Sequence, residues 1–448
     1  MAQAPAELIT ALNAPDPADR LKAAARAGAL IESGEITRVA SDEVNNHIHT
    51  IYSFSPYSPA LAAFKAWEAG LKAVGSMDHD SVAAAMEMHA AGKAIGIATT
   101  AGCEVRVNLT GTALEGRKVN NPDSANIAYI ALHGIPDGRL DEVAEFLKPI
   151  NAARNRRNRE QVEGLNRLLR GTGLSPLDFD KDVLAISKAE EGGGVTERHI
   201  LYALAKRIIE TAGKGQGTIE FLKKRLGLTL PQKVEVFLAD RENPHYAYDL
   251  LGVMKSAFLP RFFIQPDESE CVPVAEAIQL ADRIGAIAAY AYLGDVAESP
   301  TGDKKAEKFE DDFLDELIIE LKRIGFKAVT YMPPRNTKAQ LARLSKLCRE
   351  NSLMEISGVD INSSRQSFTC PEVMDPDFSH LIRATWALIA HERLATADGR
   401  YALFSGENPW RDENLAARIE RYARYGSAMD PRDPEGIVAM LDTKERTE

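Results

Sequence analysis

Four histidines and two carboxylates stand in this sequence where metal chemistry would need them. His47 and His49 are two residues apart, so on a strand both imidazoles point to the same face. Asp78-His79-Asp80, Leu132-His133-Gly134 and Gly358-Val359-Asp360 each close a short apolar run, and another carries Gly102-Cys103-Glu104. One imidazole in such a place is most simply a hydrogen-bonding structural histidine. That reading weakens when His47, His49, His79 and His133 recur with Glu104 and Asp360 along successive runs. Neutral imidazoles and carboxylates together suit Zn, Mn or Fe, and a carboxylate such as Glu104 can bridge two ions.

The elements that must position these donors alternate. Asn45 to Ile51 reads as a strand, Pro59 to Gly70 as a helix, Lys72 to Met77 as a strand, Ser81 to Gly92 as a helix, and Ile97 to Val107 as a strand. Asn126 to His133 is a further strand. The rhythm returns with strands at Ile284–Tyr292, Phe326–Tyr331 and Leu353–Asp360, and helices at Phe309–Gly325 and Thr337–Glu350. Such alternation predicts an α/β fold, a parallel sheet with crossover helices. In a parallel β/α barrel, chemistry sits at the C-terminal strand ends, where these donors lie. Residues 139–280 read instead as a mainly helical insertion, with six arginines between Arg154 and Arg170. The expected organisation is an N-terminal helical cap (1–40), a barrel (41–138 and 281–405) split by that insertion, and a helical tail (406–448).

Composition sets the outer limits. The 448 residues are 27% charged and 45% hydrophobic, with net charge −11, which is ordinary for a globular protein and excludes a disordered or fibrous class. The acidic balance argues against nonspecific binding along a nucleic-acid backbone. The sequence reads as having no secretory signal and no membrane span. Cys103, Cys271, Cys348 and Cys370 form no CxxC pair and read as reduced thiols, so the expected location is cytoplasmic.

In chain order, His-Ile-His-Thr-Ile-Tyr-Ser (47–53), Met-Asp-His-Asp-Ser (77–81), Gly-Cys-Glu-Val (102–105), the strand ending at His133 and Gly-Val-Asp-Ile-Asn (358–362) resemble the motifs of the PHP (polymerase and histidinol phosphatase) superfamily of metal-dependent phosphoesterases. The arginine-rich stretch 154–170, followed by Val195 to Leu204, resembles the helical insertion of the branch acting on nucleoside phosphates and RNA 5′ ends. The resemblance runs from about Val44 to Gln366. It implies a distorted seven-stranded β/α barrel, a (β/α)7 PHP barrel, with up to three metals. Carried over, the first site is His47, His49, Glu104 and Asp360. The second shares Glu104 and uses His133, with Tyr292 where the family has a histidine; His199 is an alternative ligand. At the third, Phe54 and Asn362 stand where the family has ligands, so that ion is expected to be absent. His79 is then left as an acid/base or phosphate-contacting group. One or two divalent ions per chain are implied.

The expectation that follows is a phosphoesterase hydrolysing a small phosphorylated substrate, a phosphomonoester or nucleotide-like molecule, by metal-activated water. His79, Arg198 and Arg365 are the candidate catalytic and phosphate-holding side chains, and Arg157 reads as a structural ion pair or surface charge. A nucleotide or nucleic-acid end is a further implied partner, no membrane is, and the oligomeric state is left open. A non-catalytic barrel that binds metal or a phosphoryl ligand is the alternative, and a metal-assisted amide hydrolase a third, because fold does not fix chemistry. His391 reads as a core or supporting histidine and His89 as solvent-facing; His245 and His380 give no signal. A serine nucleophile lacks a base and its orienter, and no GxGxxG or GxxxxGKS run opens a helix.

Overall fold

The computed structural model describes residues 3–121, 124–295 and 309–444. Its strands are β1 (Val44–Ile48), β2 (Ala73–His79), β3 (Ala98–Asn108), β4 (Ile127–His133), β5 (Val272–Pro273), β6 (Ile287–Ala291), β7 (Ala328–Tyr331) and β8 (Met354–Ser357). Seven of them run in the order β1-β2-β3-β4-β6-β7-β8, and β5 adds to the end of β3. A parallel bridge between Ile48 and Ile361 links the two edges, so the sheet is a nearly closed barrel. The α/β barrel expected from the alternation is the fold observed, with helices flanking it and a helical segment between β4 and β6.

One strand runs against expectation. β4 pairs antiparallel with both β3 and β6, whereas the other neighbours in the seven-stranded path are parallel. The cause is the connection. No helix occupies the described residues between Asn108 and Ile127, and a parallel return would need a crossover, usually helical. His133 therefore reaches the barrel's interior layer through its register, opposite Gly102, and not as the upper end of a parallel strand.

The two barrel mouths are closed differently. Val44, Ala73, Ala98, Ile287, Ala328 and Met354 are the first residues of their strands, and they pack with Ala384 and Leu388 of the helix Ser379–Ala397. That helix plugs the N-terminal mouth, and the helix Leu415–Ala428 packs behind it. The opposite mouth lies under the segment between β4 and β6, with helices Leu140–Leu168, Glu197–Ala212, Gln216–Lys224, Gln232–Ala239 and Tyr246–Phe262. This segment has its own apolar core, including Val162, Leu165, Leu201, Leu204, Leu250 and Met254. Phe54, from the loop after β1, is buried in that core, its ring 5.0 Å from His199, 5.6 Å from Tyr202 and 5.9 Å from Tyr248. Its φ of +89° is costly for a bulky residue and is held by this packing.

At the N-terminus, helices Ala6–Leu12 and Pro17–Glu32 pack on the barrel's first helix, Pro59–Glu68. Asp16 and Ser58 cap the two longer ones, each followed by proline at the first helical position. The buried Arg20 donates twice to Glu87, at 2.8 and 2.5 Å, and ties the helix Pro17–Glu32 to the helix Ala85–Ile95. All four cysteines are buried free thiols. Among the described residues no helix is long and apolar enough to cross a membrane.

Candidate metal centre

The barrel's closure carries Asp360 to the two histidines of β1. The His49 backbone N–H donates to the Ile361 carbonyl (2.9 Å), and the Ile361 N–H donates to the His47 carbonyl (3.2 Å). Asn45 extends the pairing, donating to the Val359 carbonyl (3.0 Å) and accepting from the Val359 N–H (2.9 Å). Gly358 allows the close approach: a Cβ there would lie 2.5 Å from the His47 Cβ. Glu104 comes from β3, level with His79 of β2. Its Oε1 lies 3.4 Å from His47 Nε2, and its Oε2 lies 3.0 Å from His79 Nδ1 and 3.8 Å from His49 Nε2. His49 Nε2 is also 3.2 Å from Asp360 Oδ1. Donor atoms of His47, His49 and Glu104 all fall within 4.8 Å of one another.

The hydrogen bonds behind His49 fix its tautomer. Asp78 accepts from the Thr50 N–H (2.7 Å), the Thr50 hydroxyl (2.6 Å) and the Ser53 hydroxyl (2.5 Å). Ser53 has one proton and gives it to Asp78, so its oxygen accepts from His49 Nδ1–H at 3.2 Å. Burial lowers the His49 pKa, but Asp360 and Glu104 outweigh it and raise it, so Nε2 faces these carboxylates at the place where a metal ion would displace its proton.

The donor set fits a divalent cation. His133 Nε2 is buried with no hydrogen-bond partner, a costly state unless something accepts its lone pair, and His49 Nε2 makes no hydrogen bond although Asp360 Oδ1 lies 3.2 Å away. Burial pushes Glu104 up, but His47 and His79 outweigh it and hold the carboxyl well below its ordinary range, so it is ionised. Burial, and then His47, push His133 down to about 3, so it stays neutral and able to coordinate. Nitrogen and carboxylate donors in this mixture suit Zn, Mn or Fe.

The remaining sequence candidates divide. His79 joins the group: its ring centroid is 4.5 Å from that of His49, and burial followed by the charge of His49 lowers its pKa. Arg198, in the first turn of Glu197–Ala212, reaches the rim, where its Nη1 donates to Asn362 Oδ1 at 2.8 Å. Tyr292 is engaged elsewhere. Its hydroxyl donates to Asp311 Oδ1 at 2.6 Å, and burial and Asp311 raise its pKa further, so it keeps the proton a phenolate ligand would lose. His199 is a cap: its Nδ1 accepts the Thr196 N–H at 3.0 Å, and burial lowers its pKa to about 4. In the neutral ring Nε2 then carries the proton and offers no lone pair. Arg365 makes two bonds to Asp249, at 2.6 and 2.8 Å, and lies 3.9 Å over the Phe237 ring, so it anchors a loop to a helix. Arg157 is a buried structural ion pair, bonded to Glu270 (2.6 Å) and Glu197 (2.7 Å).

Two arginines escaped the sequence reading. Arg154 sits 2.5 Å from Asp80 and 3.1 Å from Glu270, and its charge acts on both His79 and His199. Arg106, two residues beyond Glu104, is buried against Glu270 and faces Tyr129 across the β3–β4 pair. The two-residue step from Glu104 was the available signal for Arg106; nothing local in the sequence marked Arg154 out from its neighbours.

His89 corrects the expectation of a solvent-facing ring. It is buried, with Asp137, Glu392 and Arg393, near the plugged mouth. His391 is a core residue, bonded to the Gly134 carbonyl (3.1 Å) and the Leu403 N–H (2.9 Å).

No family model matches this sequence, and no curated protein matches it. Among solved structures, the chain is similar to an amidohydrolase from Chromobacterium violaceum with bound sulfate, at 16% identity and a TM-score of 0.47, over 73% of this chain and 90% of that one. It is also similar to a provisionally assigned metal-dependent phosphoesterase from Bifidobacterium adolescentis, at 17% identity and a TM-score of 0.47, over 77% of this chain and 98% of that one.

Proposed function

We propose that this chain is a metal-dependent phosphoesterase acting on a small phosphorylated substrate. The observation that carries the reading is the convergence of His47, His49, Glu104 and Asp360, with Nε2 atoms of His49 and His133 that make no hydrogen bond. The order of these residues in motifs resembling those of the PHP superfamily supports it, as do the arginines Arg154 and Arg198 around the group. His47, His49, Glu104 and Asp360 would hold one divalent ion, and Glu104 with His133 would reach toward a second. When bound, the ion supplies Lewis-acid polarisation of a phosphoryl oxygen and lowers the pKa of water from about 15.7 to about 7.

The chain's own residues supply the proton chemistry. His79 holds its Nδ1–H on Glu104 (3.0 Å), which leaves Nε2 to exchange a proton. Its lowered pKa makes the neutral ring the resting form. It therefore enters as a proton acceptor and becomes the acid for the leaving oxygen only after taking that proton. Arg154, paired with Asp80 and Glu270, lies close enough for its charge to help keep His79 neutral.

The test is a substrate panel of aryl phosphomonoesters and aryl amides, with the full chain loaded with Mn or Zn. Turnover of a phosphomonoester, abolished by Asp360→Ala and slowed by His79→Gln, is the expected result. A chain that binds metal and turns over only amides, or nothing, contradicts the proposal. The last outcome would favour the second reading, a metal-binding barrel without catalysis, which the engagement of Tyr292 by Asp311 and of Phe54 by the helical core supports.

A further inference from the structure

We infer that Arg198 and Asn362 are positioning residues for Asp360, so that the seating of the helical segment on the barrel sets the affinity of the metal centre. The inference rests on the reading that His47, His49, Glu104 and Asp360 hold a divalent cation.

The connection is a chain of directional hydrogen bonds. Arg198 Nη1 donates to Asn362 Oδ1 (2.8 Å), and Asn362 Nδ2 donates to Asp360 Oδ1 (2.7 Å). The same Oδ1 lies 3.2 Å from His49 Nε2. A guanidinium only donates and a carboxylate only accepts, so an amide between them has one allowed orientation. Turned over, its NH2 would face Nη1 and its oxygen would face Asp360, two repulsive contacts in place of two bonds. Arg198 thus decides which end of Asn362 meets Asp360, and Asn362 holds one carboxylate oxygen in place. The first turn that carries Arg198 is itself fixed, because Thr196 and His199 form a reciprocal cap.

The loop bearing Asp360 is also braced from within. Gln366 accepts from the Asn362 N–H (2.8 Å) and donates to the Asp360 carbonyl (2.7 Å). The same helical segment grips this loop twice more, through Asp249 on Arg365 (2.6 Å) and His245 on Ser364 (2.8 Å). These two contacts hold the loop's far end, whereas Arg198 and Asn362 reach the ligand atom. A side chain that orients a ligating carboxylate acts on affinity without touching the ion.

The experiment is calorimetric titration of the metal-free full chain with Mn2+, for the wild type, Arg198→Met, Arg198→Lys, Asn362→Leu, the Arg198→Met/Asn362→Leu double variant and Asp360→Asn. Each of Arg198→Met and Asn362→Leu is expected to weaken Mn2+ binding about 10–100-fold. The double variant is expected to bind no more weakly than Asn362→Leu, since Arg198 acts through Asn362, and Arg198→Lys should recover part of the loss. Unchanged affinity in both single variants, or a double loss equal to the product of the single ones, overturns the inference while leaving the metal reading intact, provided Asp360→Asn abolishes binding. A wild type that binds no Mn2+ overturns the metal reading and this inference with it.

Discussion

The two ends of the barrel each hold buried histidine with buried carboxylates, and they solve the resulting charge problem in opposite ways. At the plugged mouth, His89, Asp137 and Glu392 surround Arg393. Its guanidinium contacts the His89 ring, lies 2.5 Å from Glu392 and is 3.2 Å from Asp137. Glu392 is further satisfied by the Thr100 hydroxyl (2.6 Å) and the Ala101 N–H (2.7 Å). At the other end, His47, His49, Glu104, His133 and Asp360 have no arginine among them, and two imidazole nitrogens make no hydrogen bond. Donor types alone do not distinguish a metal centre from an ion-pair network. The distinction is whether the chain supplies the cation itself.

The comparison breaks most visibly at Glu104. Glu104→Gln removes the carboxylate shared by His47, His49 and His79, and binding of Mn2+ or Zn2+ should fall below detection by equilibrium dialysis, while His89→Gln should bind as the wild type does. Equal loss in both variants would erase the difference between the two ends. Arg393→Met removes the built-in cation at the plugged mouth. Burial already pushes the Glu392 carboxyl up to about 7 against the pull of Arg393, so without Arg393 it takes up a proton, and urea unfolding should show a loss of about 1–3 kcal/mol. A loss under 1 kcal/mol would mean that Arg393 does not balance this group.

Ser53→Ala tests the tautomer of His49, whose Nδ1–H would lose its acceptor. Metal affinity should drop by roughly 10-fold, and the metal-free chain should lose about 1–3 kcal/mol because the buried hydroxyl also donates to Asp78; unchanged affinity would remove Ser53 from the account. The smallest effect concerns pH. Burial, and then Arg393, keep the His89 pKa well below 6.5, so below that pH the unfolded chain takes up a proton that the native chain does not. The stability this group contributes is whole above pH 6.5 and is lost as pH falls. His89→Gln should therefore reduce the slope of unfolding free energy between pH 6.5 and 5.5 by up to about 1.4 kcal/mol per pH unit. An identical slope in the variant would contradict the assignment.

Much of the barrel was legible because its strands are short apolar runs separated by helical periodicity, and most of the candidate ligands end those runs. That is why His47, His49, His79, Glu104, His133 and Asp360 could be gathered as one donor set before any coordinates, while their division into sites was what the resemblance to the PHP motifs implied. The direction of β4 was not legible in its own residues, since an apolar run reads the same both ways; the signal lay in the absence of a helical pattern before Ile127. His89 was misjudged because a lone polar residue in mid-helix is ordinarily solvated, and its partner Arg393 lies 304 residues away. The roles of Arg154, Arg365 and Tyr292 likewise depend on Asp80, Asp249 and Asp311, which only the folded chain brings to them.

The most direct measurement is an anomalous difference map from a crystal of the full chain soaked in Zn2+ and recorded at the zinc edge. The account predicts a peak coordinated by His47 Nε2, His49 Nε2 and Glu104, with none beside Arg393. No density at the first position, or a peak among His89, Asp137 and Glu392 instead, would contradict it.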